Sequence, residues 1–355
     1  MTSPSGNSRN RAPVFVVGSP RSGTTLLYDM LLSAGGFAVY LGESSIFNLV
    51  APRFGNLRVH RNRERMLKAW LGSKLFRVSG LTQAQIEQKI LSDCRNPGDF
   101  LRLVMEEVAH QQGVQRWAAN TPEEILYLPL IKKTIPNALV IHVIRDGRDV
   151  ALSLSRKRYI RPFPWKERED LIGAGIYWDW IVEKGRQFGK QLGADYTEIH
   201  FEELVASPHE TLARISEFIC HDLDYLRIQQ CALGSVARPN TSFKSETSAF
   251  NPLARWKRQF TPEQLIVFEG LVGNQLKDLG YPLAGGKAAS HRFQLARIRA
   301  AYRFFFTAKR WYKNSRWTVP FRPQLTSQEI DEVAIADEQG AKSFRENATT
   351  PPVRA

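Results

Sequence analysis

The sequence predicts a three-layer α/β fold: a parallel sheet flanked by helices, with a helical, basic C-terminal extension. Three observations carry this. Val14–Val17 and Ala138–Ile144 are short apolar, β-branched runs, each followed by a turn and then a helical pattern, as buried parallel strands and their crossover helices read. Strand-like and helix-like segments alternate along most of the chain, which places helices on both faces of one sheet. From Lys287 to Arg322 there are ten Lys or Arg and no acidic residue, interleaved with aromatics.

The elements follow in order. Residues 1–12 read as a polar tail and 13–34 as the first strand and helix. Residues 37–48 read as strand and loop, and 49–81 as a basic, irregular stretch carrying Arg53, Arg58, Arg61, Arg63 and Arg65. Helical periodicity marks 83–94 and 98–111, and Trp117–Ala119 is a short strand. A helix is expected at 123–133, the strand at 138–144, and a long helix from about 167 to 191. Asp195–Phe201 is a strand and 208–220 a helix. Thr261-Pro262 with Gln264 is an N-cap with proline in the first turn, opening a terminal helix. The expected units are a domain over 13–282, a basic aromatic extension over 283–326 and a flexible tail over 327–355, polar and partly acidic.

With 355 residues, 43% of them hydrophobic, the chain is long enough for a large core. Lys and Arg number 49 against 35 Asp and Glu, a net charge of +14 that suits anionic ligands. Nucleic acid is disfavoured, because no binding motif of that class is present. Cys94, Cys220 and Cys231 are too far apart for a metal or disulfide framework and read as buried reduced thiols, so no metal site is expected. No apolar run approaches a membrane span and no apolar signal core is seen, so the expected location is cytoplasmic.

Gly18-Ser19-Pro20-Arg21-Ser22-Gly23-Thr24-Thr25 joins the first strand to its helix. A glycine turn that feeds a helix start aims free N–H groups and the helix dipole at an anion. Gly18 and Gly23 keep the spacing of a nucleotide phosphate loop, so the fold is P-loop-like, but Thr24 stands where the lysine of G-x-x-x-x-G-K-[ST] belongs. The positive charge is Arg21 instead. Downstream, Arg145 ends the second strand, at the edge where α/β sheets bind ligands. Ser153 follows eight residues later, about two helical turns on, so both can meet one anion. The alternative is a surface ion-pair cluster of Arg145, Asp146, Arg148 and Asp149.

The loop and the Arg145–Ser153 pair, in this order, resemble the 5′-phosphosulfate and 3′-phosphate elements of sulfotransferases that use 3′-phosphoadenosine 5′-phosphosulfate (PAPS). Residues 254–281 add an Arg-Trp-Lys element before the Thr-Pro helix and its Leu-Gly-Tyr end. The resemblance covers about 13–282. It implies PAPS as co-substrate and transfer of its sulfuryl group to an acceptor hydroxyl. It places Arg21, Ser22, Gly23, Thr24 and Thr25 on the 5′-phosphate and Arg145 and Ser153 on the 3′-phosphate. Arg255 and Lys257 would close over the nucleotide, with Trp256 packing beneath. Arg21 faces the leaving oxygen, and no metal is demanded. In tyrosylprotein and several glycan sulfotransferases the base is a glutamate about 20 residues past the loop. Glu43 stands there, and burial would make it a competent base. His142 lies inside a strand and reads as a core histidine.

One departure concerns the residue before Thr121-Pro122: related sequences usually have lysine, and this chain has Asn120, so less electrostatic help is expected there. Glycan, lipid, tyrosine and small-molecule acceptors all stay open, with loops 41–82 and 156–170 as the deciding segments. A P-loop kinase or NTPase is the competing enzyme, with Asp146 as its best Mg²⁺ carboxylate. A non-catalytic nucleotide-binding or membrane-surface protein is the other alternative. In the extension, Leu295, Ile298, Tyr302 and Phe305 share a helix face. Such a helix either lies on an anionic membrane surface or, the favoured reading, packs its aromatics on the domain and shows its arginines to water.

Overall fold

A computed structural model of the chain describes residues 9–157, 171–238, 251–285, 292–315 and 317–318. Five strands, β1 (Val14–Gly18), β2 (Phe37–Ala38), β3 (Arg116–Asn120), β4 (Leu139–Ile144) and β5 (Tyr196–His200), form one parallel sheet in the order β2-β3-β1-β4-β5. The longer helices are α1 (Thr24–Ala34), α2 (His60–Leu71), α3 (Gln83–Asp93), α4 (Pro97–Gln111), α5 (Gly147–Arg156), α6 (Leu171–Leu192), α7 (Pro208–Ile219), α8 (Pro262–Asp278) and α9 (Arg292–Asn314).

Alternation along β1 builds the layers. Phe15 and Val17 enter one core with Val150, Trp178 and Ile181, while Val14 and Val16 enter the opposite core with Leu27, Leu31 and Leu212. Successive strand side chains point to opposite faces, so one apolar run serves both layers. Register decides what meets at the edge. Val16 pairs with Asn120 and Gly18 with Val143, so the chain leaves β1 at Ser19, β3 at Thr121 and β4 at Arg145 side by side. The direction of chain progression reverses at β1, which lies between β3 and β4, the kind of switch point where open α/β sheets bind ligands.

Several expectations need correction. Residues 49–81 are helical, with Ala51–Phe54, α2 and Lys74–Ser79 in place of an irregular stretch. The arginines hide the pattern. Arg63 is buried on the inner face of α2 beside Met66, Leu67 and Trp70, its guanidinium donating to the carbonyls of Leu57 (2.9 Å), Arg58 (3.0 Å) and Leu91 (3.1 Å). The strand after α1 shrinks to two residues and a π-helical turn spans Ile46–Val50. The helix expected at 123–133 splits into a 3₁₀ segment, Pro122–Tyr127, and a helix, Leu128–Thr134, because Pro129 has no N–H to continue the first. Cys94 is buried, but Cys220 and Cys231 are exposed.

The extension also differs. Leu295, Tyr302 and Phe306 of α9 are buried against the domain. Yet Arg299 and Arg303 turn inward, both pairing with the fully buried Asp179 at 2.9 and 2.8 Å, and Arg303 also pairs with Glu183. Arg310 donates to the Leu126 carbonyl. Exposed on the extension are the aromatics Phe293, Phe304, Trp311 and Trp317 together with Arg297 and Lys309. Among the described residues no helix is long and apolar enough to cross a membrane. The tail 327–355 and most of the 156–170 loop lie outside the described residues.

Candidate active site

The loop after β1 is strained where it turns. Arg21 has φ 72° and Gly23 φ 99°. A Cβ on Gly23 would fall 2.2 Å from the Phe201 ring, so only glycine fits between the helix start and that ring. No side chain caps α1 and its first turn holds no acidic residue. Its leading N–H groups therefore stay open to an anion. Ser22 Oγ is buried without a partner among the described residues, as a donor waiting for a ligand oxygen would be.

The two elements read separately in the sequence are joined. Arg21 Nε donates to Ser153 Oγ at 2.9 Å, and Arg145 Nη1 donates to the Arg21 carbonyl at 3.2 Å. Arg145 stacks its guanidinium 4.4 Å from the Phe201 ring centroid and has Asp149 at 3.9 Å. Its Nη2 donates to the Pro252 carbonyl, while Nε is buried and finds no acceptor among the described residues. The loop 251–257 thus lies against Arg145. Arg255 is buried, with Nε donating to the Asn251 carbonyl at 3.2 Å. Lys257 is exposed, its ammonium 5.8 Å from the Trp256 ring, and Trp256 packs on Leu152, next to Ser153.

The surface ion-pair alternative is corrected: the cluster is interior. Arg148 is 1% exposed, pairs with Asp146 and with Glu269 at 2.7 Å each, and lies 3.7 Å from the Trp256 ring centroid. Asp146 also accepts from the Arg148 backbone N–H and caps α5. Both its oxygens are committed to Arg148, so it offers no free carboxylate to a magnesium ion. His142 is fully buried against Tyr196 OH at 2.6 Å, and burial pushes its pKa down to about 3.

Glu43, Glu123 and Glu124 form a group of three carboxylates within reach of one another's charge and of Arg21's, two of which the sequence reading missed. Glu43 is pushed up to about 8, first by desolvation and then by the charges of Glu123 and Glu124, while Arg21 pulls it down. Glu124 is wholly buried, and desolvation pushes it to about 8 as well. Its Oε1 accepts from Ser44 Oγ at 3.3 Å and the Phe47 N–H at 3.2 Å, while Oε2 has no partner among the described residues. Thr121 Oγ1 accepts from the Ser45 N–H at 3.1 Å. The turn carrying Glu43 is therefore pinned on the Thr121–Glu124 turn. The signal for the missed pair was the Glu-Glu that follows Thr121-Pro122. Asn120 Nδ2 reaches Thr25 Oγ1 at 3.5 Å, and its Oδ1 is buried and unpartnered among the described residues.

Sequence comparison bears on this arrangement directly: the profile described as "Sulfotransferase family" matches residues 13–225, more than half of the chain. The chain belongs to the sulfotransferase family. It is an enzyme, and the matched span holds the loop, Glu43, the carboxylate turn, Arg145 and Ser153, whereas Arg255, Lys257, α8 and α9 lie beyond it. A protein-tyrosine sulfotransferase A of Caenorhabditis elegans is 27% identical over 284 residues, covering 78% of this chain and 69% of that protein. A protein-tyrosine sulfotransferase of Drosophila melanogaster is 26% identical over 214 residues, 60% of this chain but 38% of that one. Among solved structures, the sulfotransferase domain of the curacin biosynthetic pathway is similar at a TM-score of 0.49 and 16% identity, covering 77% of this chain and 99% of that one. A mouse sulfotransferase solved with 3′-phosphoadenosine 5′-phosphate (PAP) has a TM-score of 0.40 and 15% identity, over 84% of this chain and 89% of that one.

Proposed function

We propose that the enzyme moves the sulfuryl group of PAPS to an acceptor hydroxyl, with Glu43 as general base. The observation that carries the donor half is the pair of bonds from Arg21 to Ser153 and from Arg145 to Arg21, which join two cationic anchors over an open helix start. Ser22, Gly23, Thr24 and Thr25 cradle the 5′-phosphate with N–H and hydroxyl donors. Arg145, Ser153, Arg255 and Lys257 attend the 3′-phosphate. In the transfer, the bond from sulfur to the 5′-phosphate oxygen breaks as the acceptor oxygen bonds to sulfur. Arg21 stabilises the charge left on that phosphate oxygen, and Glu43 takes the acceptor proton. Glu123 and Glu124 tune the base, since neighbouring charge and burial keep Glu43 basic enough to accept that proton. The tyrosine sulfotransferases among the relatives support a phenolic hydroxyl as the acceptor class.

Calorimetry with PAP, AMP and ATP with Mg²⁺ tests the donor assignment. Tight PAP binding that weakens strongly without the 3′-phosphate is the expected result. A preference for ATP with Mg²⁺ would overturn it and favour the kinase, whose best metal ligand, Asp146, is already held by Arg148.

A second contact is supported by the outer face of α9, where Phe293 is 91%, Phe304 76% and Trp311 63% exposed. Exposed aromatics on a helix without acidic residues suit an anionic membrane surface. Co-sedimentation with phosphatidylserine vesicles, lost in Phe304→Ala with Trp311→Ala, is the expected outcome. Equal sedimentation of that variant would end this reading.

A further inference from the structure

Asp149 sits in the first turn of α5, whose cap is Asp146, and is 3% exposed. An acidic side chain at this position can close a capping box on the cap's own N–H, and the positive end of the helix favours its charge. Here that N–H is already taken, because the Asp146 backbone donates to Glu202 Oε1 at 2.9 Å. Asp149 crosses instead to a segment 107 residues away, where its Oδ1 accepts the Trp256 N–H at 2.9 Å. Its Oδ2 is buried with no hydrogen-bond partner among the described residues, and Arg145 Nη2 lies 3.9 Å from it. A buried carboxylate bonded on one side is costly, and an apolar side chain in such a place is often the more stable choice. Stability alone therefore does not account for Asp149.

What Asp149 supplies is a grip on the loop 251–257. Two bonds bracket Arg255. Before it in the chain, the Pro252 carbonyl accepts from Arg145 Nη2, and after it Asp149 holds the Trp256 N–H. Between these two bonds Ala254 has φ 53°. A non-glycine residue keeps this left-handed conformation only where its surroundings impose it, and such strain gathers at ligand clamps. The Trp256 ring is held from the same helix: the Arg148 guanidinium lies 3.7 Å from its centroid, and Leu152 packs on it. One helix thus carries Ser153 and also fixes the segment that carries Arg255.

We propose that Asp149 is a positioning residue for the nucleotide's 3′-phosphate: it holds the Trp256 N–H and so keeps Arg255 beside the Arg145–Ser153 anchor. The assignment rests on the donor site proposed above. A carboxylate does not attract a phosphate, so Asp149 acts through the loop and not by contact. Releasing its hold lets Ala254 relax and Arg255 leave the anchor. The 5′-phosphate donors, Ser22 to Thr25, belong to a different strand-to-helix turn and keep their places. The loss therefore falls on the 3′-phosphate.

The test is calorimetry on the full chain with PAP and with AMP, for the parent, Asp149→Ala and Asp149→Asn, together with hydrogen exchange at the Trp256 amide. Asp149→Ala should bind PAP about tenfold more weakly, the scale of one lost charge-assisted hydrogen bond, and bind AMP as the parent does. Its Trp256 amide should exchange about tenfold faster while α1 and the sheet keep their protection. Asp149→Asn retains an oxygen for the Trp256 N–H and should keep the preference for PAP over AMP within about threefold of the parent. Should the alanine variant not fold, Asp149→Leu, which fills the volume without an acceptor, takes its place. An unchanged preference without the acceptor, equal losses of PAP and AMP, or Asp149→Asn failing as fully as Asp149→Ala overturns the positioning role while the donor reading stands. A parent that binds PAP no tighter than AMP overturns the donor reading itself.

Discussion

The proposed donor side and the proposed acceptor side of this site are built differently. On the donor side, each anchor sits in a short contiguous motif: a strand, a glycine turn and a helix start around Arg21, and a strand and helix eight residues apart around Arg145 and Ser153. On the proposed acceptor side, Glu43 depends on a turn pinned to Thr121 and Glu124. Local backbone geometry makes the first, and long-range packing makes the second. Donor-side substitutions should therefore act on nucleotide binding or charge stabilisation alone. Acceptor-side substitutions should couple to burial and pH.

The largest expected effect is on the acceptor side. Glu43→Gln should lower kcat about 10²–10⁴-fold and remove the ascending limb of the pH profile of kcat/KM. In the parent that limb should lie near the raised value of about 8, because only the ionised carboxylate takes a proton. A parent-like rate in Glu43→Gln would assign the base elsewhere. Next, Arg21→Ala should cost about 10²–10³-fold in kcat, the scale of one lost charge-stabilising donor. If PAP affinity fell while kcat held, Arg21 would be a binding anchor only. Arg145→Ala should weaken PAP about 10–100-fold with kcat little changed, as loss of a charge-assisted hydrogen bond predicts, and calorimetry with single-turnover rates separates the two.

Smaller effects sharpen the comparison through stability. Asp179→Asn removes the buried partner of Arg299 and Arg303 and should cost about 2 kcal/mol in denaturant unfolding. Glu124 tests the cost of the buried carboxylate. Its folded value of about 8 exceeds its ordinary 4.5, so the folded state holds the extra proton, and stability from this group is lost as pH rises between those values. Glu124→Gln should gain on the parent across that window, by a few kcal/mol at most. A constant difference would mean that the carboxylate is ionised throughout.

Much of the fold was legible in the sequence, because buried parallel strands are written as unbroken β-branched runs and their helices as clean periodicity. The region 49–81 was not, because Arg63 occupies an inner helix face and satisfies itself on backbone carbonyls, and sequence periodicity counts an arginine as outside. The same limit hid two arginines of α9, which Asp179, distant in sequence, draws inward beside the buried Leu295, Tyr302 and Phe306. Asp179 lies on α6 among apolar residues, and nothing in its neighbourhood announces its partners.

By itself the sequence determined what neighbouring residues dictate: the glycine turn after β1, the helix start that follows it, the cations after β1 and β4, and so the family. Only the tertiary structure decided which carboxylates surround Glu43 and that Arg21 bonds to Ser153. Those outcomes depend on desolvation and on contacts between segments far apart in the chain. A linear pattern records a residue's own chemistry but not the charges and volumes that folding brings beside it.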